Sequence, residues 1–169
     1  MIFKNTNELF TYLSWYYEQN GGKVDISTFN MYLGISKGKD WSYRFYNPVR
    51  EFINKVNKND LRLILGVPAY IECKHNCLDC KIKYNETIQR HIDTINILNL
   101  NVKIHQNLHL KMYRIGELYI SGGINLSASD YLDASFIIKD QEQKDYLKKM
   151  FDDTWNSCPN INLDKLKIG

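Results

Sequence analysis

Leu61–Tyr70 is a nearly continuous apolar run that ends near Pro68. A run of this length is a strand rather than a helix, and one without polar alternation is buried on both faces. Such a strand demands a layer above it and another below. The sequence supplies both as helices. Residues 6–19 place Leu9, Phe10, Leu13, Tyr16 and Tyr17 at helical spacing, with Asn5 or Thr6 as the cap and Gly21-Gly22 as the stop. Lys23–Leu33 then alternates, Val24, Ile26 and Thr28 against Asp25 and Ser27, and reads as a strand. Asn47-Pro48 opens a second helix with the stripe Val49, Phe52, Ile53 and Val56. A third helix runs from about Lys81 to Leu98 with Tyr84, Ile88, Ile92 and Ile95 inward, followed by a short strand, Val102–His105. Asp133–Ile138 is a further strand, and Gln141–Trp155 a last amphipathic helix through Tyr146, Leu147, Met150, Phe151 and Trp155. The tail after Pro159 reads as irregular. This alternation predicts an α/β fold, a mixed β-sheet flanked by helices on both faces.

Composition narrows the class. At 169 residues, 44% apolar and 24% charged, residues 1–169 are expected to form a single domain with a real core. No apolar run approaches the roughly 20 residues of a membrane span. The first residues lack the basic-then-apolar pattern of a secretory signal, so a reducing, cytoplasmic setting is expected. A net charge of +3 is compatible with a polyanionic partner but too mild to establish one. No phosphate-binding P-loop and no G-x-S-x-G is present, which leaves nucleotide hydrolysis and serine hydrolysis without support.

The chemistry concentrates between His109 and Ser127. Lys111–Ile115 and Leu118–Ile120 read as the arms of a hairpin, and Gly116-Glu117 as its tight turn. On a strand, residues two apart share a face, so His109 and Lys111 are expected to project together from the first arm. The second arm runs into Gly122-Gly123, followed by Ile124-Asn125. An imidazole, an ammonium, a carboxamide and glycine N–H groups at one spot would suit a phosphodiester.

This order resembles the phospholipase D superfamily, whose signature is H-x-K, a short hairpin, then G-S/G-x-N. His109-x-Lys111 and Gly122-Gly123-Ile124-Asn125 carry the resemblance, strongest from 100 to 140 and extending over roughly 23–155. Asp133 leads into the strand that follows, as an acid does in the family. Three positions depart from the pattern. Gly116 stands where the family has a turn aspartate, the hairpin is one residue shorter, and Gly123 replaces a small hydroxyl residue.

The resemblance implies a phospholipase D-like domain and a metal-independent phosphodiesterase. Family members need two copies of the motif, and this chain has one, which implies a homodimer with a shared pocket. One His109 would attack phosphorus to give a phosphohistidine, and the other would serve as acid and then base. Lys111 and Asn125, with backbone N–H groups at Gly122 and Gly123, would hold the phosphoryl oxygens. Asp133 would orient the imidazole, with Glu117 as the alternative acid.

Small single-motif members of the family are usually nucleases, and residues 37–46 interleave Lys39 and Arg44 with aromatic residues. That suits phosphate contact with base stacking, so nucleic acid, DNA or RNA, is the expected substrate. The same loop also reads as a surface loop whose aromatics dip into the core. Two other functions stay open: a weak or inactive nucleic-acid-binding protein of the same fold, and a phosphodiesterase for a small nucleotide or lipid.

A second constellation is the cysteine-bearing loop 73–80, in which Cys73, Cys77 and Cys80 stand in C-x3-C-x2-C spacing. With Cys158 or His75 they could hold a structural zinc ion tetrahedrally; disulfides and unligated thiols are the other readings. No cofactor is expected for catalysis. The pair His105 and His109 lacks the helical H-E-x-x-H pattern, so His105 reads as a structural or substrate-edge residue, and His91 as a surface or core position of its helix.

Overall fold

The computed structural model describes residues 1–33, 35–36, 39–40, 47–67, 77–106, 108–127 and 133–169, with backbone alone at 35, 36, 39, 40 and 47. Among the described residues the strands are β1 (Ile2–Phe3), β2 (Val24–Thr28), β3 (Met31–Tyr32), β4 (Ile35–Ser36), β5 (Lys39–Asp40), β6 (Leu61–Val67), β7 (Val102–Gln106), β8 (Met112–Ile115), β9 (Leu118–Gly122), β10 (Leu126–Ser127) and β11 (Ser135–Ile137). The helices are α1 (Thr6–Asn20), α2 (Asn47–Lys55), α3 (Leu78–Leu98) and α4 (Gln141–Ser157). A 3-10 turn at Leu163–Leu166 adds regular structure to the tail, where none was expected.

One mixed sheet organises these elements, in the order β1-β11-β9-β8-β2-β6-β7. β2, β6 and β7 run parallel, and the pairs from β2 outward through β8, β9, β11 and β1 are antiparallel. The face carrying Val24, Ile26, Leu63, Tyr113 and Ile120 packs against Leu9, Phe10, Leu13, Phe52, Ile53 and Ile88 of α1, α2 and α3 in one buried cluster. The opposite face carries Ile64, Met112 and Tyr119 and is covered by Phe151, Leu147 and Trp155 of α4. The sheet is therefore flanked by helices on both faces, as the continuous apolar run at β6 required.

The departures from expectation have local causes. Lys23–Leu33 is interrupted: β2 ends at Thr28, whose hydroxyl donates to the Asn30 carbonyl oxygen at 2.7 Å and turns the chain before β3. α3 begins at Leu78 rather than Lys81, with Cys77 as its N-cap residue, so the last residues of the expected cysteine loop are helical. Tyr146 of α4 is exposed, because the stripe that reaches the sheet is Leu147, Phe151 and Trp155.

Candidate functional site

The expected hairpin is present. β8 and β9 pair from Ile115 with Leu118 to Met112 with Ser121, and Gly116 turns the chain at φ +55°, a value that favours glycine. His109 and Lys111 lie just before β8 rather than on it. What directs them is the alternation Leu108-His109-Leu110-Lys111. Leu108 and Leu110 pack against the buried cluster under α4, while His109 is exposed and Lys111 half-buried. The Lys111 carbonyl oxygen accepts the Ser121 hydroxyl at 3.0 Å, which ties this segment to β9.

The side chains gather around Thr28–Asn30, where β2 ends. The His109 ring stacks on Phe29, with centroids 4.3 Å apart and 15° between planes. Lys111 Nζ stands 5.8 Å from the Phe29 centroid and donates to the His109 carbonyl oxygen at 3.3 Å. Asn125 Oδ1 accepts the Asn30 N–H at 3.1 Å and lies 3.3 Å from the Thr28 hydroxyl, which in turn accepts the Leu126 N–H at 2.9 Å. The carboxamide oxygen is thereby engaged by the end of β2. β10 then pairs in parallel with β3 and fixes the Asn125 segment beside Asn30. His109, Lys111 and Asn125 are thus each held against the segment Thr28–Asn30, at the carboxyl end of β2, the end at which open α/β sheets commonly bind ligands.

Two residues that sequence reasoning missed hold this arrangement. Phe29 is the surface on which His109 rests. Gly66, on β6, lies beneath: a Cβ there would collide with the Leu108 carbonyl oxygen and press to 3.2 Å from Phe29 Cα. A glycine inside a mostly apolar strand is the one available signal, since it marks a close backbone approach.

The remaining candidates fall into three groups. Gly122 and Gly123 serve the sheet. The Gly122 N–H donates to the Lys111 carbonyl at 3.4 Å and the Gly123 N–H to the Ala134 carbonyl at 2.7 Å, so the oxygen-holding role expected of them is taken by protein acceptors. Gly122 is glycine for a steric reason, since a Cβ there would strike the Ala134 backbone carbonyl; at Gly123 a Cβ would meet only the carboxylate of exposed Asp133, which can turn away. Asp133 is exposed, lies against Gly123 and accepts its neighbour's Ala134 N–H at 2.8 Å; no hydrogen bond or ion pair joins it to His109. Glu117 is exposed at the hairpin tip.

Arg44 and Cys73 lie outside the described residues, and Lys39 contributes its backbone to β5. Cys77 and Cys80 sit at the start of α3, while Cys158 is buried at the end of α4. Among the described residues no three His, Cys, Asp or Glu side chains form a group able to hold a metal ion. Also among the described residues, no helix is long and apolar enough to cross a membrane.

No protein-family model matches the chain, and no curated protein matches it. Solved structures do. Nuc from Salmonella typhimurium, a phospholipase D family member, superposes with a TM-score of 0.50 at 7% identity, over 90% of this chain and 90% of that one. TrmBL2, an archaeal chromatin protein with a novel mode of DNA binding, matches with a TM-score of 0.47 at 12% identity, over 95% of this chain. This chain spans only 54% of the length of TrmBL2. At such identities the likeness is one of fold, and the fold is the expected phospholipase D-like one.

Proposed function

We propose that this protein is a phosphodiesterase of the phospholipase D type, acting as a metal-independent nuclease in a homodimer. The observation that supports the reading is that His109, Lys111 and Asn125 each contact one short segment, Thr28–Asn30. A neutral imidazole is a competent nucleophile near pH 7. One His109 attacks phosphorus, a P–N bond forms, and the ester P–O bond breaks as the leaving oxygen takes a proton from the second copy's imidazole. That imidazole then removes a proton from water, which attacks phosphorus and breaks the P–N bond. Lys111 and the Asn125 NH2 offset the charge growing on the phosphoryl oxygens. Asp133 accepts the Ala134 N–H and makes no hydrogen bond or ion pair to His109, so this relay is written without it.

Nucleic acid is the proposed substrate, on the strength of the basic and aromatic residues at 37–46, and the net charge of +3 is compatible with it. The test is incubation of the purified chain and of His109→Ala with labelled DNA and RNA in EDTA. Cleavage that survives EDTA and disappears with the substitution is the expected result. Binding without cleavage would favour a nucleic-acid-binding protein instead, and cleavage of bis-p-nitrophenyl phosphate but of no polynucleotide a small-substrate enzyme. A structural zinc ion on Cys73, Cys77 and Cys80, completed by Cys158 or His75, is a separate proposal. Metal analysis returning less than about one half equivalent per chain rejects it.

A further inference from the structure

An exposed imidazole on a segment outside any strand ordinarily rotates about both side-chain torsions. Its use as a nucleophile requires the opposite, because both nitrogens lie in the ring plane and attack proceeds along that plane. In many hydrolytic sites a carboxylate fixes the ring. Here Asp133 is turned to Gly123 and Ala134. The group that does touch the His109 ring is Phe29, almost parallel at 4.3 Å. A stack of this kind covers a face of the imidazole and leaves its edge, with both nitrogens, open. The same phenyl ring lies 5.8 Å from Lys111 Nζ, and an aromatic face attracts a cation.

Phe29 is itself firmly placed. Thr28 and Asn30 on either side of it engage Asn125, and Gly66 below admits its backbone together with that of Leu108. We infer that Phe29 is the positioning residue of the site. Its ring sets the plane of the His109 imidazole and the separation of that ring from the Lys111 ammonium. The catalytic consequence rests on the phosphodiesterase reading above; the placement of the ring does not.

The experiment compares the wild-type chain with Phe29→Leu, Phe29→Met and Phe29→Tyr, each first shown to fold by its backbone amide spectrum. The His109 Cε1–H and Cδ2–H resonances are assigned by their absence in His109→Ala. Ring current from Phe29 is expected to shift them in the wild type and in Phe29→Tyr, and the shift is expected to be lost in Phe29→Leu and Phe29→Met. On bis-p-nitrophenyl phosphate, kcat is expected to fall roughly 10- to 100-fold in the non-aromatic variants with KM little changed, and to recover in Phe29→Tyr. Resonances that do not move in Phe29→Leu or Phe29→Met overturn the stack. Wild-type kcat in those variants overturns the positioning role. A wild-type chain that cleaves no phosphodiester overturns the catalytic consequence together with the phosphodiesterase reading, and the resonances still decide whether Phe29 places the ring.

Discussion

Acid should find His91 before it finds most of the carboxylates. His91 sits on α3, is 3% exposed, and its Nδ1 has no hydrogen-bond partner among the described residues. Burial lowers its pKa to about 4, helped by the charge of Arg90 and opposed by a hydrogen bond to the Met31 backbone. In the unfolded chain it protonates near its ordinary value of about 6.5. Between those values the unfolded state holds the extra proton, so stability is complete above pH ~6.5 and declines as pH falls toward 4. The loss across that window is on the order of 3 kcal/mol. Thermal melts of the wild type should show Tm falling through this range, and His91→Leu should flatten the slope. Equal slopes would reject the assignment.

The legibility of single residues in the sequence follows the same line between local and non-local causes. His109, Lys111 and Asn125 could be read because one hairpin holds them close along the chain. Phe29 could not, because it meets His109 only when the end of β2 reaches the start of β8. Gly122 is required by the Ala134 backbone carbonyl in the space of a Cβ, a contact that exists only in three dimensions.

Among the elements, β2 departs most from what its pattern suggests. The alternation of Val24, Ile26 and Thr28 with Asp25 and Ser27 is the mark of a strand with one wet face. Yet all of β2 is buried, because α4 closes the second face. The sequence offers no sign of which helix covers which face, so Asp25 could not be read as an interior charge. It is held by its neighbours in register. Arg62 of β6 makes two hydrogen bonds to it, at 2.7 and 2.9 Å, and Arg114 of β8 a third at 2.8 Å. Arg62 continues to Asp152 of α4 at 2.8 Å and lies over the Phe151 ring, so the network also fastens the helix to the sheet. Its guanidinium pKa is raised, chiefly by the hydrogen bond to Asp25. Asp25→Asn leaves two guanidiniums facing each other without their anion. The expected cost is roughly 3 kcal/mol or more, read as a lower denaturant midpoint. Lys149→Ala, which removes the exposed Lys149–Asp153 pair, should leave the midpoint in place. Similar shifts in the two variants would mean that the interior network contributes nothing special.

For the whole molecule, the strand–helix alternation was enough to give a mixed sheet between two helical layers. The agreement with Nuc extends over 90% of both chains. What the alternation could not give is the assembly, since a single His109-x-Lys111 fixes only half of the proposed pocket. If two imidazoles serve one phosphorus, a dimer with a single intact His109 lacks either the nucleophile or the proton donor. Wild-type and His109→Ala chains, each with its own affinity tag, can be unfolded together, refolded at varied ratios and assayed on bis-p-nitrophenyl phosphate. Random pairing makes the active species the doubly wild-type dimer alone, so activity should fall with the square of the wild-type fraction. A pocket complete within one chain would give a straight line instead. Tandem affinity purification of the mixed dimer sharpens the contrast: it should be inactive although half its chains are wild type. A linear dependence, or an active mixed dimer, would leave the fold and the His109–Phe29 stack standing while removing the shared pocket. The proton donor would then have to be found within the same chain, and exposed His105, at the edge strand β7 and paired in register with Gly66, is the first residue to substitute.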